Sequence, residues 1–277
     1  MFRIGTSGFS YDDWKGFFYP ENLDKKEMLS FYAGRFDTVE VDSTYYRIPP
    51  ASVLERMAQK TPPEFEFVVK ANKEMTHTEE DNAAAYEAFK KSVDPLLQAS
   101  KLGCVLAQFP WAFRWNRQNQ TALRRVRERL HPLPVVVEFR NASWANDEVL
   151  DFLRSEGLGF CCVDEPRLKG LMPPLCAATS GIGYVRLHGR NKAKWWKHEH
   201  AHERYDYLYS PAELREWLPK AQSLAAQTEK TFVFFNNHFE AKAVTNAQQF
   251  REMLGIAPPS QTGTAQERTT IPSLFSP

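Results

Sequence analysis

The stretch VEVDSTYY, residues 39–46, reads as a buried strand carrying two carboxylates on one side. Side chains alternate across a strand, so Val39 and Val41 share one face while Glu40 and Asp42 share the other. A solvent-facing edge would explain one such segment. The pattern recurs along the chain, and the recurrence points to strands whose polar ends converge.

Runs of strand length start at Phe2 (FRIGTS), Thr38 (TVEVD), Phe65 (FEFVVKAN), Cys104 (CVLAQF), Val135 (VVVEFR), Gly159 (GFCCVDE), Gly183 (GYVRLHG) and Thr231 (TFVFFNN). Amphipathic patterns separate most of them. Residues 25–36 place Met28, Leu29, Tyr32 and Phe36 on one face, and residues 80–100, 117–131, 146–155, 211–227 and 241–254 follow. SPAELREW, from Ser210, is a helix start with a Ser cap, Pro first and Glu three after the cap. Asn146 and Asp147 form a weaker start before Glu148. Strands alternating with helices eight times predict an α/β fold, a TIM-type (β/α)8 barrel. Its sixth helix unit is degenerate, because PRLKGLMPPLCAATSG, from Pro166, holds three prolines and little periodicity. An open doubly wound sheet is the structural alternative. The barrel domain is expected over residues 1–257. Residues 258–277, polar, Pro-rich and aperiodic, read as a disordered tail.

The 277 residues are 43% hydrophobic and 25% charged with a net charge of +1, so a sizeable core is expected and no global attraction to nucleic acid or membrane. Strand-like sequence from Phe2 leaves no room for a signal peptide, and no apolar run approaches a membrane span. A cytoplasmic location is expected. Cys104, Cys161, Cys162 and Cys176 form no C-x-x-C pair and read as packing in a reducing compartment, not as a disulfide or zinc framework.

In a parallel barrel the site lies at the C-terminal ends of the strands. Those ends carry Glu40 and Asp42, Lys70, Gln108, Glu138 and Arg140, Asp164, Arg186 and His188, and Asn236 and Asn237. A ring of mutually satisfied ion pairs is the plain reading of any one of them. So many ionisable groups converging would be costly without a use. The mixture of acids with Lys70, Arg140 and Arg186 suits an anionic or polyhydroxylated ligand better than a hard-cation cage. No metal or other cofactor is indicated. Glu40 and Glu138, three strands apart, are the acid/base pair expected across the mouth. Lys70, one strand from Glu40, would lower that carboxylate's pKa or hold an oxyanion.

The motifs IGTSGFSYDDWKGFFYP, FDTVEVDSTYYRIP, FEFVVKANKEMTH, LAQFPWAF, VVEFRNASW, VDEP, YVRLHGR, YDYLYS and FVFFNNHFEAKAVTNA occur in this order from residue 2 to about 254. Together they resemble the family called domain of unknown function 72, or YecE-like. The resemblance implies a TIM-type barrel and carries no reaction with it. Its motifs fall on Glu40, Tyr45, Lys70, His77, Gln108, Glu138, Arg140, Asp164, Arg186, His188 and Asn237, which adds Tyr45 and His77 to the candidates. Phe9 stands where the family more usually has tryptophan, and Val41–Asp42 where it often has Ile-Asn.

Four further signals lie outside these motifs. His198, His200 and His202 offer nitrogen ligands in KHEHAHER, but a solvated loop is the plainer reading. Trp195 and Trp196 in the same loop would either stack on a sugar or base or pack as a lid. LRRVRERLH, from Leu123, reads as a solvated arginine face on a helix. The tail's IPSLF resembles a sliding-clamp peptide, with Ile271, Leu274 and Phe275 as its contacts and Ile271 at the usual glutamine position.

The leading expectation is an enzyme of hydrolase or lyase type acting on a phosphorylated or polyhydroxylated ligand, with nucleotide or nucleic acid among the candidates. Glu40 and Glu138 would move protons, with Lys70 beside them. Arg140, Arg186 and His188 would hold charge, while Gln108, Asp164 and Asn237 orient. The alternatives are a non-catalytic module binding nucleic acid or a partner, and a glycoside hydrolase.

Overall fold

A computed structural model describes residues 1–78 and 82–259. Eight parallel strands form one sheet: β1 (Phe2–Thr6), β2 (Thr38–Val41), β3 (Glu66–Lys70), β4 (Leu102–Gln108), β5 (Val135–Glu138), β6 (Gly159–Asp164), β7 (Ile182–Leu187) and β8 (Lys230–Phe235). From β2 to β8 each strand pairs with its sequence neighbour, and β1 pairs with β8, so the sheet is a nearly closed (β/α)8 barrel of TIM type. Every strand lies within or beside its expected run. Val, Ile, Phe and Cys on both faces let these short runs be buried on both sides, as a helix-covered parallel sheet requires.

The closing seam lies between β1 and β2, and a side chain completes it. Tyr32, on helix α1 (Met28–Ala33), accepts a hydrogen bond from Thr6 N at 2.9 Å and donates to Thr38 O at 3.1 Å. Its phenol bridges the two backbones where direct pairing is missing. Gly5 permits the approach, because a Cβ there would stand 2.3 Å from Thr38 O. Above the phenol the strands meet directly, with Gly8 N donating to Glu40 O at 2.8 Å.

The helices follow the hydrophobic stripes. The remaining ones are α2 (Ala51–Gln59), α3 (Lys73–Thr76), α4 (Ala83–Gln98), α5 (Arg117–Leu130), α6 (Asp147–Ser155), α7 (Pro211–Ala225) and α8 (Lys242–Met253). Ser210 and Glu213 form the expected capping box on α7, and the Asn146 side chain accepts from Val149 N to cap α6. Helix α2 is an addition to the sequence reading. Its nine residues bury only Leu54 and Ala58, too short a stripe to stand out. The pattern over 25–36 contracts to a 3-10 turn followed by α1.

The sixth helix unit, expected to be degenerate, is missing altogether: no helix joins β6 to β7, where Pro166, Pro173 and Pro174 remove backbone donors. The connection is an extended strap held by donors from neighbouring elements. Ala142 N and Trp111 Nε1 bond to Gly170 O, Lys220 Nζ to Pro174 O, and Arg154 Nε to Ala178 O. None of the described helices is long and apolar enough to cross a membrane. Most of the proposed tail, including Ile271, Leu274 and Phe275, lies outside the described residues.

Candidate functional site

The polar strand ends meet inside the C-terminal mouth, but they satisfy one another instead of lining an open cup. Arg186 is the hub. Its Nη2 lies 2.5 Å from Glu40 Oε1 and 3.3 Å from Asp42 Oδ1, and its Nη1 is 3.1 Å from Glu138 Oε2. Arg140 Nε is 2.7 Å from Glu138 Oε1, too poorly aligned for a hydrogen bond, and its Nη1 donates to Glu165 Oε2 at 3.2 Å. Tyr184, one turn of the pleat below Arg186, donates its phenolic proton to Glu40. Glu40, Glu138 and Glu165 have no exposed surface and Arg186 has 1%. Burying such charges is tolerable only because each finds a partner.

This geometry corrects the picture of Glu40 and Glu138 as a pair flanking a substrate bond. The Arg186 guanidinium binds both carboxylates and occupies the space between them. Their electrostatics also diverge. Burial pushes Glu40 up to about 7, because the pull of Arg186 only partly offsets desolvation and the adjacent Asp42 carboxylate adds to it. Glu138 is also buried, yet Arg140, Arg186 and His188 together hold it well below the usual carboxylate range. Glu138 is therefore a fixed anion at neutral pH, while Glu40 can gain and lose a proton there.

His188 does not hold charge. Asn236 Nδ2 donates to its Nδ1 at 3.0 Å, which leaves the proton on Nε2, 3.1 Å from Glu138 Oε1. Burial first, then the Arg140 charge, depress it to about 3, so it is a neutral donor that orients Glu138. Lys70 reaches Asp42, not Glu40, as its ion-pair partner. Its Nζ lies 3.9 Å from Asp42 Oδ1 and 4.7 Å from the centre of the Tyr45 ring.

Two expected ligand contacts belong to other networks. The Asp164 carboxylate is clamped by Arg190, with contacts of 2.8 and 3.2 Å, and Arg190 also binds Glu213 and Glu216 of α7. Asn237 Nδ2 bonds to Tyr207 O and Asn246 Oδ1, so it ties β8 to α8. Residues one step away take their places: Glu165 pairs with Arg140, and Asn236 with His188. Gln108 sits half-buried beside Glu138 in the sheet register, and its side chain makes no hydrogen bond among the described residues.

A more accessible layer lies above the plug. Lys70, Arg140 and Asp42 keep 12%, 11% and 23% of their side-chain surface exposed. Tyr45 stands edge-on to His77, 5.3 Å between ring centres. Tyr205, in the loop after β7, faces His188 and Trp195 at 6.3 and 6.5 Å. Burial alone would raise the Tyr205 phenol, but Arg140, Lys70 and Arg186 outweigh it and leave its pKa lowered. Desolvation, then Lys70 and Arg140, depress His77 to about 4. Glu165 is raised to about 7 by burial, partly opposed by Arg140.

The tandem tryptophans divide their work. Trp195 is buried under the loop against His188, whereas Trp196 is exposed and meets Trp111 edge-on at 6.2 Å. The loop histidines do not converge: His198 bonds to Lys194 O, while His202 stacks between His200 and Phe239. Among the described residues one trio has metal-ligand proximity, Glu199, His200 and Glu203, on the outer surface of this loop and not at the mouth.

Fold and site together define a TIM-type barrel whose C-terminal mouth is plugged by a buried charge cluster beneath a half-open cationic and aromatic rim. The chain belongs to the DUF72 family. The family model described as protein of unknown function DUF72 matches residues 3–270. The UPF0759 protein YunF of Bacillus subtilis is 34% identical over 272 residues, covering 92% of this chain and 95% of that one. A crystal structure of a DUF72 family protein from Thermotoga maritima is 40% identical with a TM-score of 0.85, covering 92% of this chain and 99% of the other. A DUF72 family protein from Enterococcus faecalis is 26% identical with a TM-score of 0.85, covering 96% and 100%.

Proposed function

We propose that the chain is an enzyme whose barrel mouth takes a small anionic ligand, phosphorylated or polyhydroxylated, and acts on it by acid–base chemistry. The observation that carries this reading is the pair of rim cations, Lys70 and Arg140, which keep 12% and 11% of their side-chain surface exposed and set up a positive field there. His77 and Tyr205 lie on different loops, yet Lys70 and Arg140 push both toward the form with less positive charge. A phosphate or carboxylate brought to Lys70 and Arg140 meets the same field. Proton capacity lies just beneath, at Glu40 next to partly exposed Asp42 and at Glu165 against Arg140. In this reading Lys70, Arg140 and Tyr205 touch the ligand. Arg186, Glu138 and His188 position them, and exposed Trp196 with Trp111 offers an aromatic flank for a base or sugar.

The test is a thermal-shift titration with inorganic phosphate, AMP and an unphosphorylated sugar, followed by mass-spectrometric turnover of a panel of sugar phosphates and nucleotides. Phosphate and AMP should stabilise the protein, and Lys70→Ala or Arg140→Ala should weaken that binding by about tenfold or more. Glu40→Gln should bind and not turn over. No stabilisation by phosphate or AMP rejects the anion site. Binding with no turnover of any compound by the unaltered protein favours a non-catalytic anion-binding module.

A further inference from the structure

Cys162 and Cys176 form a thiol pair that the mouth does not use. Parity along β6 separates neighbouring cysteines. Cys161 faces the barrel interior, where Glu138 and Arg186 act on it, while Cys162 faces outward beneath the strap. Cys162 Sγ lies 3.9 Å from the carbonyl of Ala177, the residue next to Cys176. Cys176 Sγ lies 3.6 Å from Lys220 O on α7, and the two thiols are close enough to shift each other's ionisation. Cys176 is only partly buried and lines a surface cavity of about 270 Å³ with Pro219, Lys220 and Ser223. Cys162 is fully buried. One thiol is thus reachable from solvent and the other waits behind it.

We propose that this pair is an oxidation site, at which a peroxide converts Cys176 to a sulfenic acid and Cys162 resolves it to a disulfide between β6 and the strap. The chemistry is that of a low-pKa, accessible thiol beside a resolving one. The hydrogen bond from Cys162 favours the Cys176 thiolate, burial opposes it, and the Lys220 charge favours it, for a net lowering. The thiolate attacks a peroxide oxygen. The S–O bond forms, the O–O bond breaks, and the leaving oxygen departs as hydroxide. Cys162 then attacks the Cys176 sulfur. The S–S bond forms, the S–O bond breaks, and the departing hydroxide takes the Cys162 proton as water. The two thiols lose two electrons and the peroxide gains them. The bond would fix the strap to the strand just beyond whose end Glu165 holds Arg140 and accepts from Met172 N on the strap itself.

The experiment treats the full chain with hydrogen peroxide and follows intact mass, thiol alkylation and peptide maps. The expected product is about 2 Da lighter, has lost two alkylatable thiols, and gives a peptide linking Cys162 to Cys176. Cys162→Ser should leave a sulfenic acid on Cys176 that dimedone traps. Cys176→Ser should abolish both products, and Lys220→Ala should slow the reaction severalfold. Cys104 and Cys161, inside the barrel, should stay alkylatable after unfolding. A gain of about 32 Da on Cys176 with no cross-link, or an unchanged mass under peroxide that oxidises free cysteine, overturns the proposal.

Discussion

The barrel has an ion-pair network at each end, and they differ in kind. At the N-terminal end Arg3 pairs with Asp37 at 2.7 Å and Glu66 at 3.0 Å, and Lys230 pairs with Glu66. Arg3, Asp37 and Lys230 keep 14%, 27% and 33% of their side chains in water. At the C-terminal end Arg186, Glu40 and Glu138 have lost water almost entirely, and Glu40 and Glu165 are raised to about 7. The first network closes the bottom of the barrel at little electrostatic expense. The second keeps charges where desolvation opposes them, and the result is proton-exchanging carboxyls at neutral pH.

The largest expected contrast is in stability. Arg186→Ala leaves Glu40 and Glu138 buried without their partner and should cost about 3–5 kcal/mol in chemical denaturation. Arg3→Ala, partly solvated, should cost about 1 kcal/mol and be salt-sensitive. Equal losses would erase the distinction between the two ends.

A second contrast is in pH dependence. Glu40 and Glu165 have folded pKa values near 7, above the ordinary 4.5. Their contribution to stability is therefore complete below about pH 4.5 and fades as pH rises through 7, by about 3 kcal/mol each. Glu138 is lowered, so its contribution is present above 4.5 and fades as pH falls through its folded value. Urea denaturation from about pH 2 to 8 should show a neutral-range slope that flattens in Glu40→Gln, while Glu138→Gln should flatten only the acid limb. A Glu40→Gln profile parallel to the unaltered protein's would sink this assignment.

The smallest effect on stability belongs to Tyr205→Phe, within about 0.5 kcal/mol. Its readout is spectroscopic. An ultraviolet titration should lose the phenol that ionises below the usual 10, and an unchanged curve would remove Tyr205 from the positive field.

Much of this was legible in the chain. The eight runs, the Ser210 box and the helixless strap after β6 follow from local chemistry. So do Glu40, Glu138, Arg140, Arg186 and His188, because i, i+2 parity places them on one inner face. The misses have the same cause in reverse. Asp164 and Asn237 occupy strand ends on the outward parity, and the inward positions are Glu165 and Asn236. Counting forward in twos from Cys161 and Phe234 reaches both. Arg190 and Tyr205 had no such signal, since loop path alone brings them to Asp164 and to the mouth. The open cup was also unreadable: whether opposite charges line a cavity or fill it depends on the reach of one arginine across the barrel.

The Tyr32 phenol between β1 and β2 has a consequence for how the barrel opens. Every other strand boundary is a ladder of backbone bonds, whereas this one hangs partly on a single hydroxyl and on the bare α-carbon of Gly5. Glu40 is rooted on the strand just beyond that join. The hydroxyl that completes the barrel and the carboxylate at the heart of the plug therefore share one strand, and a change at Tyr32 acts on the footing of Glu40.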